Sequence, residues 1–214
     1  MSAREIAPSV LAADFSRLGA QVDEVIAAGA RVIHVDVMDG HFVPPLSMGP
    51  QVVSALRDRD VHLDVHLMIE RPERHIADFA KAGADTITIH AESTPHIDYT
   101  LAHIRDAGCR AGLAVCPATP LAVFEEVTPD HALCMTVNPG WGGQSFIPAS
   151  PDKVERLRPL VGDAVIEVDG GVDVGTAGSV AAAGASLFVA GSAVFGADDP
   201  AAAYQAIASA AGAS

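Results

Sequence analysis

An internal repeat of helix end, glycine and buried strand restricts the fold more than any other feature. Ala28-Gly29-Ala30 precedes Arg31-Val32-Ile33-His34-Val35, and Ala82-Gly83-Ala84 precedes Asp85-Thr86-Ile87-Thr88-Ile89-His90. The same order recurs at Ala107-Gly108-Cys109 before Arg110–Val115 and at Ala183-Gly184-Ala185 before Ser186–Ala190. Each pairs a glycine able to take the left-handed helix-cap conformation with a following run of strand residues. The glycines stand 54, 25 and 76 residues apart. Those gaps read as two, one and three units of about 25–27 residues, the size of one strand plus its helix. A chain of 214 residues holds about eight such units, and eight helix-linked parallel strands close into a (β/α)8 barrel.

The expected strands lie near Glu5–Val10, Arg31–Val37, His62–Met68, Asp85–His90, Arg110–Val115, Ala132–Val137, Ala164–Asp169 and Ser186–Ala190. Helices lie between them; one is expected over Pro72–Ala82, with proline in its first turn. No linker or low-complexity stretch divides residues 1–214, so one barrel domain is expected. A net charge of −14 without a basic stripe argues against a nucleic-acid partner, whose affinity would rest on phosphate neutralisation by Lys and Arg. No apolar run is long enough to span a bilayer. Cys109, Cys116 and Cys134 lack CxxC spacing and read as reduced thiols, which points to the cytoplasm.

The chemistry concentrates where such barrels place it, at the C-terminal ends of the strands. Period-two alternation sets His34, Asp36 and Met38 on one face of strand two, and Asp64, His66 and Met68 on one face of strand three. Ionisable groups rarely line a buried strand face unless they are paired or hold a metal. Asp169 ends strand seven and Ser9 ends strand one. Together His34, Asp36, His66 and Asp169 offer two nitrogens and two oxygens to one divalent cation. Zn²⁺ is the first expectation, and the same donors accommodate Fe²⁺, Mn²⁺ or Co²⁺. The competing reading makes each histidine an ordinary core residue bonded to a carbonyl. His90 ends strand four and stays unassigned; His41, His75, His96, His103 and His131 are expected in solvated loops or helices.

Glycine forms a second constellation. Asn138-Pro139-Gly140-Trp141-Gly142-Gly143-Gln144-Ser145 follows strand six, Gly170-Gly171 strand seven and Gly191-Ser192 strand eight. Glycines let backbone N–H groups approach an anion, and the last loops of these barrels often bind phosphate. The expected substrate therefore carries a phosphate at one end and meets the metal at the other. Lys81 and Lys153 fall in helices, which argues against Schiff-base chemistry. No Gly-x-Ser-x-Gly turn or Cys/His pair suggests acyl transfer. Two carboxylates and a metal without a nucleophile point to moving a proton beside a carbonyl.

Over nearly its whole length the chain resembles the ribulose-phosphate 3-epimerase family. The resemblance is carried by Ile6–Phe15, His34–Pro44, Asp64–Met68, Val137–Phe146, Glu167–Gly171 and Val189–Ala193. It implies that Asp36 is the general base and Asp169 the acid on the opposite face of the substrate, both also metal ligands with His34 and His66. The metal would chelate the C2 carbonyl and C3 hydroxyl and stabilise a cis-enediolate, so that D-ribulose 5-phosphate and D-xylulose 5-phosphate interconvert at C3. Ser9, His66 and Asp169 would contact the sugar. Gly142, Gly143, Gln144, Ser145, Gly170, Gly171, Gly191 and Ser192 would hold the remainder and its phosphate. Met38, Met68 and Met135 would form an apolar collar that excludes water.

For acid–base work the two Asp groups are expected nearer neutrality than free Asp, against the pull of the metal. The family's alternative substrate is D-allulose 6-phosphate, and homo-oligomers are usual in it. Two segments depart from the family pattern, Pro45-Leu46-Ser47-Met48-Gly49 after Pro44 and Trp141 in place of Phe, neither at an expected ligand.

Overall fold

A computed structural model describes residues 4–213. It contains eight strands, β1 (Glu5–Pro8), β2 (Val32–Met38), β3 (His62–Met68), β4 (Thr86–His90), β5 (Arg110–Val115), β6 (His131–Met135), β7 (Val165–Asp169) and β8 (Leu187–Ala190). They pair in parallel in the order β1-β8-β7-β6-β5-β4-β3-β2, and a parallel bridge between Ser9 and His34 joins the two ends. Helices alternate with the strands, from Leu18–Ala27 to Pro200–Ala211. This is the eight-unit barrel the glycine repeat implies. Gly29, Gly83, Gly108 and Gly184 take φ values of 117°, 111°, 89° and 111°, the left-handed backbone that ends a helix and turns the chain into the next strand.

Both faces of each strand are buried, for different purposes. On β2 and β3, Ile33, Val35, Val37, Leu63, Val65 and Leu67 point outward into the apolar layer beneath the helices. The alternate residues point into the barrel. There Ala7, Val32, Leu187 and Val189 form a small apolar cluster, but His34, Asp36, Asp64, His66, His90 and Glu167 are buried in the same interior. Barrel interiors are usually filled by branched apolar residues. This one carries a column of ionisable groups, and that column positions the site.

Two local expectations need correction. The segment Pro72–Ala82 is not one helix: Pro72–Arg74 is a 3-10 turn and the α-helix starts at Ile76. His75, at φ −116°, redirects the axis so that Ile76, Phe79 and Ala82 meet the core. His131 is not solvated. It opens β6 on the inward face, is 3% exposed, and stacks on His62 at 6.3 Å with 5° between the rings. The remaining surface expectations differ little: His41, His75 and His96 are exposed and His103 is half-buried. Cys109, Cys116 and Cys134 are unpaired. Among the described residues no helix is long and apolar enough to cross a membrane.

Packing inside the barrel is close enough to test at Gly112 on β5. A Cβ there would lie 2.0 Å from Thr88 Oγ1 and 2.8 Å from Thr88 Cβ, and neither strand can retreat without breaking its ladder. Gly112→Ala should destabilise the protein by about 1–3 kcal/mol, lowering Tm by roughly 2–4 °C per kcal/mol at this chain length. Thr88→Ala in the same chain should recover part of the loss. A Tm unchanged by Gly112→Ala would show slack in the interior that the structure does not contain.

Candidate active site

A cavity of about 320 Å³ opens at the C-terminal ends of the strands, within the range of small-ligand sites. Asp36 and Asp169 reach into it from β2 and β7, and Ser9, Met38, Met68 and Met135 line its walls. Gly142, Gly143, Gln144, Gly170, Gly171, Gly191 and Ser192 form its other side. Met38 and Met68 pack with Val43, and Met135 packs with Ala114, Leu133 and Val137 across the opening. Two of the expected substrate contacts sit elsewhere. Ser145 lines a neighbouring depression that shares Gly143, Gln144, Gly171 and Ser192. His66 is fully buried and approaches from beneath. Gln144 lines the wall but spends its amide on its own loop, Nε2 donating to the carbonyls of Asn138 (2.6 Å) and Trp141 (3.0 Å).

The four expected ligands converge. Donor atoms of His34, Asp36, His66 and Asp169 all lie within 4.8 Å of one another. His66 Nδ1 stands 3.1 Å from Asp36 Oδ1 and 3.6 Å from Asp169 Oδ2. Ser9 Oγ donates to Asp36 Oδ2 at 2.5 Å. His34 Nε2 is buried, 3.3 Å from Asp36 Oδ1, yet makes no hydrogen bond among the described residues. A buried ring nitrogen without a partner, facing two carboxylates and a second imidazole, fits a divalent cation.

The charges reinforce one another. Burial works against an ionised Asp36, but His34 and His66 outweigh it and hold the carboxyl well below the usual range. Burial likewise opposes a charged His66, but Asp169 and Asp36 raise it to about 9. For Asp36 this reverses the expectation of a carboxyl nearer neutrality. The flanking imidazoles set the direction, His34 from the same strand face and His66 from the neighbouring strand.

Beneath these four residues lies a layer that strand alternation alone did not resolve. His34 Nδ1 meets Asp64 Oδ2 at 2.7 Å and Glu167 Oε1 at 3.2 Å. Burial and then the charge of Asp64 push Glu167 up to about 8. Asp64 goes the other way: burial opposes its ionisation, but His34 holds it low. Of the two, Asp64 is therefore the carboxyl that ionises the more readily. An ionised carboxylate behind an imidazole fixes its tautomer and presents the opposite nitrogen to a metal. The inward phase of Asp64 and Glu167 was readable, but their meeting at His34 required the closed barrel.

Loop anchors are the other missed feature. Ser47 Oγ accepts from Met38 N and donates to the Asp36 carbonyl, both at 2.8 Å. The departing Pro45–Gly49 segment thus touches the backbone of an expected ligand, contrary to expectation. The Asp39 carboxylate accepts from the N–H groups of His41, Phe42 and Glu70, tying the loops after β2 and β3 together. Thr136 Oγ1 donates to Asp169 O at 2.8 Å, bracing the end of β7. At Gly171, φ 67°, a Cβ would lie 2.7 Å from Phe146 N, so only glycine lets these two loops close around the cavity.

Lys153 does not approach this chemistry. Its buried ammonium donates to the carbonyls of Cys116, Pro117 and Thr119 at 2.7, 3.0 and 2.8 Å, a structural clamp on the loop after β5.

A (β/α)8 barrel with paired carboxylates, two imidazoles and glycine loops around one rim cavity has the layout of a barrel enzyme. The sequence profile of the ribulose-phosphate 3 epimerase family matches residues 5–195. The chain is 50% identical over 202 residues to "Ribulose-phosphate 3-epimerase" of Serratia marcescens, covering 91% of this chain and 96% of that one. It is 49% identical over 203 residues to the protein of the same name in Bacillus subtilis (strain 168), covering 91% and 94%. Among solved structures, 3-hexulose-6-phosphate synthase from Salmonella typhimurium superimposes with a TM-score of 0.75 at 17% identity, covering 97% of this chain and 98% of that one; this likeness concerns the fold. The chain belongs to the ribulose-phosphate 3 epimerase family, a family of isomerases.

Proposed function

We propose that this protein interconverts D-ribulose 5-phosphate and D-xylulose 5-phosphate by moving the C3 proton between two carboxylates on opposite faces of the sugar. The observation that carries the reading is the placement of Asp36 and Asp169, which enter one cavity from strands three positions apart in the ring. A single base would return the proton to the face it left. Asp36, kept ionised by His34 and His66, takes the proton; Asp169, the more exposed of the two, delivers one from the other side. Ser9 orients Asp36 through its hydroxyl. The glycines of the loops after β6, β7 and β8 hold the phosphate through backbone N–H groups. The three methionines keep water from the carbon being inverted.

His34, Asp36, His66 and Asp169 are the residues that would hold a divalent ion, Zn²⁺ first among the candidates. Once bound it would supply positive charge against the oxygens that become negative as the C3 proton leaves. The pentulose is favoured over D-allulose 6-phosphate because relatives about 50% identical over most of their length carry the ribulose-phosphate name. Three unpaired cysteines support a cytoplasmic setting. The chain acts as one catalytic domain, and assembly with further copies of itself follows the family.

The test is activity on both phosphosugars before and after chelation. Chelator-treated protein should lose turnover of D-ribulose 5-phosphate and regain it with one of Zn²⁺, Fe²⁺, Mn²⁺ or Co²⁺. Full activity in metal-stripped protein would remove the cation from the reading. A higher kcat/KM for the hexulose phosphate would reverse the substrate assignment.

A further inference from the structure

Behind His66 runs a chain of groups that the proposed reaction does not use. His66 Nε2 lies 2.9 Å from His90 Nε2, and His90 Nδ1 lies 3.1 Å from Glu92 Oε2. Glu92 Oε1 accepts from Cys116 N at 2.8 Å and from the Thr119 hydroxyl. The loop supplying those two donors is the one clamped by Lys153. His90 is fully buried, with the Phe42 ring 4.8 Å away and the His66 ring 5.0 Å away at 26°. It lines no part of the substrate cavity. A strand-end imidazole held this firmly, yet out of reach of the substrate, needs another role.

We infer that His90 and Glu92 are positioning residues that fix the tautomer of His66, so that its Nδ1 lone pair faces the cation cluster. The inference rests on the metal reading given above. The proton order follows from donor and acceptor rules. A carboxylate only accepts, so His90 Nδ1 must carry hydrogen toward Glu92. Neutral His90 then presents a lone pair at Nε2. The facing nitrogen of His66, 2.9 Å away, must be its N–H. Once a cation takes the place of the second proton, His66 carries its lone pair on Nδ1, the nitrogen between Asp36 and Asp169. Orientation is thereby passed from a partly exposed carboxylate at the rim to a fully buried ligand. His34 receives the same service directly from Asp64.

The same order excludes a rival use of these groups. His90, Glu92 and Cys116 are close enough to hold an ion themselves. An ion on His90 Nδ1 would displace that proton and leave Nε2 as the N–H. His66 would then accept at Nε2 and carry hydrogen at Nδ1, losing its lone pair toward Asp36. One arrangement precludes the other.

Zn²⁺ affinity, measured by competition with a chromophoric chelator, tests the inference in three variants of the full chain. His90→Leu cannot accept from His66 and should weaken binding about 10- to 100-fold. His90→Gln can accept from His66 and donate to Glu92, and should retain most of the affinity. Glu92→Ala, altered at a partly exposed side chain that the core does not need, should also weaken binding; it decides the matter if His90→Leu fails to fold. The visible absorption of Co²⁺-loaded protein should change in His90→Leu and not in His90→Gln. Wild-type affinity in both His90→Leu and Glu92→Ala would overturn the inference while leaving the metal site standing. A wild-type protein that binds no divalent cation would overturn the metal reading and this inference together.

Discussion

Asp36→Asn should lower kcat/KM for D-ribulose 5-phosphate about 10³-fold, within the 10²- to 10⁴-fold span of a lost general base and equivalent to about 4 kcal/mol of barrel-held transition-state stabilisation. Asn has the size of Asp and can still meet Ser9 and His66, whose contacts with Asp36 are 2.5 and 3.1 Å. Folding should therefore survive the change. What the amide cannot do is take a proton from carbon. Because the surrounding loops and their glycines are untouched, substrate binding should persist and most of the loss should fall on kcat. Asp36 is also a proposed cation ligand, so the metal content of the variant separates the two contributions: an ion retained with turnover lost assigns the defect to the base. A rate within tenfold of wild type would remove Asp36 from that role.

Asp169→Asn should split the reaction in two. Asp36 remains able to take the C3 proton of D-ribulose 5-phosphate, and its side chain borders the open cavity, where the proton can exchange. In deuterated water the variant should exchange the C3 hydrogen of D-ribulose 5-phosphate, while D-xylulose 5-phosphate appears about 10³-fold more slowly than with wild type. Mass spectrometry of recovered substrate and an enzymatic assay for product read the two steps separately. Wash-in of deuterium without inversion is the signature of a two-face mechanism. If exchange and inversion decline in parallel, the carboxylates do not divide the faces as proposed.

The contrast between these carboxyls arises from surroundings rather than residue type. Asp36 lies deep among His34, His66 and Ser9, and the imidazoles keep it ionised against the cost of burial. Asp169 is at the cavity wall, with Thr136 bracing the backbone beneath it. A further pair below them, Asp64 and Glu167, flanks Nδ1 of His34. Two tiers of acid and imidazole inside one barrel explain how a chain with net charge −14 can bury so many ionisable groups. Each carboxylate meets an imidazole, or burial favours its neutral, protonated form.

The strand order, the glycine caps, and the rim positions of His34, Asp36, His66 and Asp169 were legible in the linear chain. These are local properties: period-two alternation decides which face a residue takes, and a glycine after a helix marks where the next strand begins. Contacts between strands were not legible, since they depend on register and closure. The sequence left His90 unassigned and sent His131 to solvent. In the barrel His90 stands behind His66, and His131 is stacked on His62 within the interior. The same closure brings Glu167 of β7 to His34 of β2 and lets Ser47, from a departing loop, grip the Asp36 carbonyl. The sequence alone determined the barrel and the residues on its rim, because periodicity and caps act within one unit. Only the tertiary structure decided which groups are charged, which nitrogen each histidine turns inward, and what supports it, because those depend on neighbours separated by tens of residues along the chain.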